Sequence, residues 1–116
     1  MRIPSNFEDL ISEASALDLY QNLVVQLNKD LQYANVDLAF DEEILPTSLK
    51  LVLQESVFYL IQNKFSDYIN LLYIVDVSEL KVRALVGDDT VKLSEDVTFL
   101  ILQREWQKVW YKAKFS

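Results

Sequence analysis

The strongest hydrophobic pattern lies in the middle of the chain, where apolar residues recur at spacings of three and four. Its members are Leu49, Val52, Leu53, Val57, Leu60, Ile61, Phe65, Tyr68 and Leu72. This spacing places apolar side chains on one face of an α-helix. Pro46 suits the first turn of that helix, because its missing amide would have no partner there. We therefore predict one long central helix over residues 47 to about 73, with a bend near residues 66 and 67.

Two helices are predicted before this central one. Ser5 and Glu8 have the spacing of a capping box, in which each side chain bonds to a backbone amide at the start of a helix. After a break, a second apolar stripe consists of Tyr20, Leu23, Val24, Leu27, Leu31 and Ala34. Residues 35–45 are predicted to connect these helices to the central one. Alternating apolar residues over 36–40 leave a short strand open as an alternative.

The last third of the chain carries signals for two further helices. Asp76 and Glu79, in the run Asp76-Val77-Ser78-Glu79, have the spacing of a second capping box. Gly87, the only glycine, suits a helix end because glycine tolerates the left-handed conformation. Residues 94–96 are polar and acidic, which favours the start of a final helix through its dipole. The apolar positions of that final helix are Val97, Leu100, Ile101, Trp106, Val109, Trp110 and Ala113.

A different local structure is open for residues 69–93. Part of this segment is rich in β-branched and aromatic side chains, and its second half has the pattern of a hairpin around Gly87 and Asp88. With residues 36–40, it would make a small sheet. We favour an all-α fold, a compact bundle of four to five helices around the long central helix, as a single domain over residues 1–116. An α+β fold with a small sheet is the alternative.

The composition excludes several classes of chemistry. The 116 residues include neither cysteine nor histidine. This removes catalytic thiols, disulfides, zinc sites built on sulfur or imidazole, and catalytic triads that use imidazole as the base. One glycine and two prolines leave little room for glycine-rich phosphate loops. We therefore predict a protein without a cofactor and without enzymatic activity.

The charge and the apolar runs bear on partners and location. Eleven cations against eighteen acids give a net charge of −7, which disfavours nucleic acid as a partner. No run approaches the ~18 apolar residues of a membrane-spanning helix. The N-terminus has neither the apolar core of a signal peptide nor a basic transit helix. We expect a cytoplasmic protein that does not bind a membrane.

The C-terminal helix is the most suggestive segment for binding. Residues 101–116 carry four cations against one acid, a net +3 on an acidic chain. Trp106 and Trp110 stand one turn apart, with Arg104 and Lys108 beside them. Such a segment can form a protein interface with tryptophan anchors and a cationic rim, or it can pack its tryptophans inward. Binding of nucleic acid through the same helix is a third interpretation.

The densest group of carboxylates lies in the predicted connection, at Asp37, Asp41, Glu42 and Glu43. Carboxylate oxygens can hold hard cations such as calcium or magnesium. The segment lacks the central glycine and the alternate oxygen ligands of an EF-hand loop, so a solvated loop is the simpler interpretation. A carboxylate-based metal site or enzyme stays open as an alternative function.

Two segments are similar to a known family. Residues 71–79 (LLYIVDVSE) and residues 100–109 (LILQREWQKV) resemble a family of small helical proteins from Bacteroidetes-type bacteria. The resemblance covers residues 45–110 and includes the Leu45-Pro46 entry into the central helix. It implies a helical structure for the first segment and a bacterial, cytoplasmic protein. The family has no assigned activity, so it assigns no catalytic or binding residue, and it has arginine where this chain has Ile74.

These observations together predict a small cytoplasmic helical protein that binds another protein or associates with itself as a homo-oligomer. The residues predicted to contact the partner are Arg104, Trp106, Lys108 and Trp110. The carboxylate-based site is the first alternative, and nucleic-acid binding through the C-terminal helix is the second.

Overall fold

Six α-helices make up the computed structural model, which describes residues 2–85, 87 and 89–115. They are α1 (Phe7–Ala16), α2 (Tyr20–Tyr33), α3 (Pro46–Asn63), α4 (Phe65–Val75), α5 (Glu79–Arg83) and α6 (Thr90–Phe115). The prediction of an all-α fold is confirmed, and these residues contain no strand. The alternative hairpin is wrong, because residues of its two arms lie in the helices α5 and α6. Val86 and Asp88, at its predicted turn, lie outside the described residues.

Asn6, and not Ser5, caps the first helix. Its side-chain oxygen accepts a hydrogen bond from the amide of Asp9 at 2.8 Å, and its Nδ2 donates to the Asp9 carboxylate at 3.0 Å. The cap satisfies one of the amides that a helix leaves free in its first turn. The predicted capping box of Ser5 and Glu8 is therefore wrong by one residue, since the next pair with the same spacing takes its place.

The predicted long central helix is two helices. Lys64 has φ −143° and ψ 64°, which ends α3 and starts α4 at the next residue. The Lys64 amide donates to the Leu60 carbonyl at 2.9 Å at the end of α3, and the Lys64 carbonyl accepts from the Tyr68 amide at 3.0 Å at the start of α4. The break turns the apolar face of α4 onto the core. The prediction of one helix bent near residues 66 and 67 is wrong for this reason.

The last helix, α6, takes the central place in the bundle. It has 26 residues and contacts α1, α2, α3 and α4. It begins at Thr90, where the Asp89 carboxylate accepts from the amides of Val91 and Lys92 at 2.9 and 3.3 Å. The predicted start at Ser94 is therefore wrong by about one turn. Despite the length of α6, no helix in the described part of the chain is apolar enough to cross a membrane.

The connection between α2 and α3 is extended but is not a strand. The side-chain amide of Asn28 donates to the Phe40 carbonyl at 2.8 Å and accepts from the Phe40 amide at 2.9 Å. The Tyr20 hydroxyl donates to the carbonyl of Ile44 at 2.5 Å. Two side chains of α2 thus hydrogen-bond to backbone groups of the connection, in the place of a neighbouring strand. The side chain of Phe40 is buried in the core.

Candidate functional site

The four residues predicted to contact a partner occupy different surroundings on α6. Trp106 is 0% exposed and lies in the core of the single chain. Its indole nitrogen has no hydrogen-bond partner among the described residues. Trp110, one turn further, is only partly buried. The prediction that both tryptophans are interface anchors is therefore corrected for Trp106, because neighbouring helices already cover it.

Arg104 closes a contact within the chain. Its Nη2 lies 3.0 Å from the Asp76 carboxylate, and its Nε donates to the Asp76 carbonyl at 3.2 Å. Asp76 has φ 71°, the left-handed conformation that ends α4. A cation at this position is stabilised by the negative, C-terminal end of the helix dipole. Arg104 thus holds the end of α4 against α6 and is not a free cation at the rim of an interface.

Lys108 belongs to a charged cluster between α2 and α6. Its Nζ lies 2.6 Å from the carboxylate of Asp30 and 3.1 Å from the carboxyl group of Glu105. The side-chain amide of Gln26 donates to the Asp30 carboxylate at 3.4 Å, and Lys112 donates to the side-chain Oε1 of Gln26 at 2.6 Å. We refer to Gln26, Asp30, Glu105 and Lys108 as the buried polar cluster.

The two carboxyl groups of the buried polar cluster hold different charges. Burial raises the pKa of Glu105 to about 9, and the neighbouring Asp30 adds to the rise against the opposing effect of Lys108. Burial alone would raise the pKa of Asp30 too, but hydrogen bonds from Glu105, Lys108 and Gln26 lower it on balance. At neutral pH the proton therefore sits on Glu105, and Asp30 carries the negative charge that pairs with Lys108.

The sequence analysis missed this cluster, although the pattern held a signal. Glu105 falls between the buried positions 101, 102, 106 and 109 of α6, and Asp30 falls beside Leu27 and Leu31 of α2. A charged residue on the apolar face of a helix needs a partner from another element. Neither carboxyl group could be matched to its partner without knowing that α2 packs against α6.

A polar groove lies beside the buried polar cluster, but neither carboxyl group lines it. The groove, of about 500 Å³, lies over α2 and α6, and its lining includes Gln26 and Lys112. Asp30, Glu105 and Lys108 do not line it. The cluster joins α2 to α6 through the ion pair of Lys108 with Asp30.

The end of α6 leaves the body of the protein. Residues 111–115 are all exposed, and Lys112 reaches back to bond to Gln26 of α2 at 2.6 Å. Trp110, Tyr111 and Phe115 form an aromatic cluster with ring centroids 5.4 to 6.3 Å apart. Tyr111 is 50% and Phe115 72% exposed. We name this projecting segment, with its lysines 112 and 114, the aromatic end of α6.

An apolar groove of about 700 Å³ runs between the first halves of α1 and α3. Its lining residues are Phe7, Glu8, Ile11, Ser12, Pro46, Thr47, Lys50, Leu51, Gln54 and Glu95. The ammonium of Lys50 lies 5.0 Å from the centre of the Phe7 ring, within cation–π distance. The volume falls in the range of ligand and peptide sites. We name it the α1–α3 groove.

A second exposed apolar surface lies on α4. Phe65, Ile69 and Tyr73 are exposed and recur every fourth residue, so they form one stripe on the outer face of the helix. The opposite face carries the buried residues of α4. We name Phe65, Ile69 and Tyr73 the α4 stripe.

The acidic connection does not form a cation site. Asp37, Asp41, Glu42 and Glu43 are all exposed, and the Asp41 carboxylate accepts from the Glu43 amide at 2.8 Å. This is local turn chemistry. Within residues 2–85, 87 and 89–115, no three or more acidic side chains converge as metal ligands.

Comparison of the chain with models of protein families, with curated proteins and with solved structures finds no match. The resemblance to a bacterial family therefore stays a prediction of the sequence. The class that the structure defines is an all-α helical protein with a buried polar cluster, a projecting aromatic helix end and an apolar groove. Function has to be argued from these three features.

Proposed function

We propose that this protein is a self-associating interaction module and that the aromatic end of α6 is its docking element. The observation that carries the proposal is the exposed pair of Tyr111 and Phe115 at the end of α6, with the partly buried Trp110 beside it. Aromatic residues supply much of the binding energy in protein interfaces. Their burial removes apolar area from water at about 25 cal/mol per Å².

The charge around the docking element indicates what it binds. Lys112 and Lys114 lie beside the aromatic rings, while the chain as a whole has a net charge of −7. A second copy therefore offers the acidic surface that these cations favour, and charge complementarity of this kind selects partners and speeds association. The proposal keeps the C-terminal helix as the binding segment and moves the contact from Trp106 to the last turn.

The proposal also covers the location of the module, its chemistry and its partners. The module is cytoplasmic and non-enzymatic, works without a cofactor and does not use nucleic acid. The acidic connection supports no metal-dependent alternative, because its side chains point to solvent.

Sedimentation velocity over roughly two decades of protein concentration tests the proposal. The wild-type protein is expected to gain mass with concentration. The double variant Tyr111→Ser/Phe115→Ser is expected to raise the dissociation constant at least about tenfold, which is ~1.4 kcal/mol. Its far-UV circular dichroism should match the wild type, because both side chains lie outside the core.

A matched control removes two equally exposed apolar side chains elsewhere, in the variant Tyr33→Ser/Leu80→Ser. It should associate like the wild type. A wild-type protein that stays monomeric throughout, or a Tyr111→Ser/Phe115→Ser variant that associates unchanged, contradicts the proposal. If Ile69→Asp on the α4 stripe is the variant that abolishes association, the interface lies on α4 and the aromatic end is not the docking element.

A further inference from the structure

We propose that the aromatic end of α6 in one copy docks into the α1–α3 groove of a second copy, so that the copies associate head to tail. This inference rests on the proposed function and adds the receptor for its docking element. It assigns a role to the groove, which no other part of the described chain fills.

The two surfaces match in the spacing of their apolar residues. Tyr111 and Phe115 are four residues apart, their rings stack at 5.6 Å, and they face the same side of α6. In the groove, Phe7 and Ile11 are likewise four residues apart on α1, opposite Leu51 of α3. Four residues of helix span about 6 Å. The geometry is that of an amphipathic helix laid into an apolar groove, with anchors one turn apart.

The two surfaces also differ in the sign of their charge. Helix α1 has three acidic residues and no cation, and Glu8 and Glu95 border the groove. Neither of these two acids has an ion-pair partner within the described residues. Lys112 and Lys114 on the incoming helix can meet them. The groove also holds the cation of Lys50, which is drawn over the Phe7 ring.

The chain cannot place the aromatic end in its own groove. Glu95 borders the groove and lies on α6 itself, and Tyr111 follows 16 residues later on the same helix. At 1.5 Å per residue, the two positions are about 24 Å apart along a rigid helix. The occupant must therefore come from another molecule. Because the two docking surfaces differ, the interface is heterologous, and it forms open chains unless the rotation between copies closes a ring.

The test uses one variant for each half of the interface. Leu51→Lys places bulk and a repelling cation in the groove at an exposed position of α3, and Tyr111→Ser/Phe115→Ser removes the docking element. Val52→Lys is the matched control, because Val52 is exposed on the same helix but does not line the groove. Circular dichroism and urea unfolding verify that each variant folds.

The expected result is complementation, measured by sedimentation velocity. Each interface variant alone should be monomeric, and Val52→Lys should associate like the wild type. An equimolar mixture of the two interface variants should form a one-to-one complex and nothing larger, since each copy retains one intact half. A complex at least about tenfold tighter than either variant with itself is expected.

The outcomes separate this inference from the proposed function. If Tyr111→Ser/Phe115→Ser abolishes association while Leu51→Lys does not, the docking element stands and the groove is not its receptor. A mixture that stays monomeric also overturns the inference. If Leu51→Lys fails to fold, the double variant Glu8→Lys/Glu95→Lys at the rim of the groove replaces it. Unchanged association of that variant would also overturn the inference.

Discussion

Glu105 is the residue whose environment departs furthest from its sequence expectation. A glutamate in the core of a helical bundle must be neutral or paired, because an isolated buried charge is strongly destabilising. One ammonium, on Lys108, faces the two carboxyl groups of Asp30 and Glu105. Only one negative charge can be balanced, so one proton stays in the cluster. The more deeply buried side chain, Glu105, keeps it.

This proton makes stability depend on pH in a defined direction. The pKa of Glu105 is about 9 in the folded protein against an ordinary 4.5. Between these values the folded state holds a proton that the unfolded state has lost, so the free energy of unfolding falls as pH rises. The slope for one proton is at most about 1.4 kcal/mol per pH unit. The chain has no histidine to add a second transition there.

Replacement of the carboxyl group should remove this dependence. Glu105→Gln keeps the shape of the protonated side chain, so we expect unfolding within about 1 kcal/mol of the wild type near pH 4.5 and a flatter profile from there to pH 9. Urea unfolding at several pH values measures both. The control Asp30→Asn should instead lose stability at neutral pH, because it leaves Lys108 without its charge partner. Equal slopes in wild type and Glu105→Gln would contradict this account of the cluster.

At the scale of the elements, side chains decide where helices end and how connections are held. Lys64 separates α3 from α4, and its backbone bonds to the last turn of α3 and the first turn of α4. The positive φ of Asp76 ends α4, and Arg104 reaches over to bond to it. Asn28 clamps the connection before α3 by bonding to both polar groups of Phe40. The contacts of Arg104 and Asn28 join elements that are separated in sequence.

The clamp of Asn28 predicts a measurable loss. Asn28→Ala leaves the amide and carbonyl of the buried Phe40 without a partner, and an unpaired buried group costs about 1–3 kcal/mol. Urea unfolding should show a loss of that order, and hydrogen exchange should increase over residues 36–45. Asn22→Ala, at an exposed position of the same helix, is the control and should change neither. Unaltered exchange in Asn28→Ala would show that the connection is held by other contacts.

At the scale of the whole molecule, opposite charges lie at opposite ends of α6. Asp89, Glu95 and Asp96 are near its start, beside the acidic α1, and lysines 108, 112 and 114 are near its end. The helix dipole favours this order within one chain. Between chains, the same order brings unlike ends together. The basic end also carries the exposed aromatic rings, whereas the α4 stripe has only three apolar side chains in a row.

Head-to-tail association should therefore weaken with salt. Raising the salt concentration from 0.1 to 1 M shortens the Debye length from about 10 to about 3 Å and screens the lysines from the groove acids. We expect a severalfold rise in the dissociation constant by sedimentation velocity. Lys114→Gln should associate more weakly at low salt and respond less to salt. Association that strengthens with salt would indicate a purely apolar interface, as expected for the α4 stripe.

The periodicity of the sequence was sufficient for the fold class. Apolar stripes at helical spacing identified α1, α2, α3 and the later part of α6, whereas α5 is capped by Ser78 and not by Asp76 of the predicted capping box. These features are local, because a helix forms its hydrogen bonds within its own segment. Helix ends were harder to predict from the sequence, because the break at Lys64 and the start at Thr90 depend on which neighbours cover each turn.

Burial at the end of the chain was decided by tertiary structure alone. Trp106 and Trp110 are one turn apart on the same stripe, yet neighbouring helices cover the first and leave the second partly exposed. The sequence by itself determined that α6 would be amphipathic, aromatic and basic, because those properties reside in its residues. The packing of α1 to α4 against α6 decides where along α6 the body of the protein stops. It therefore also decides which rings project and which carboxyl group keeps its proton.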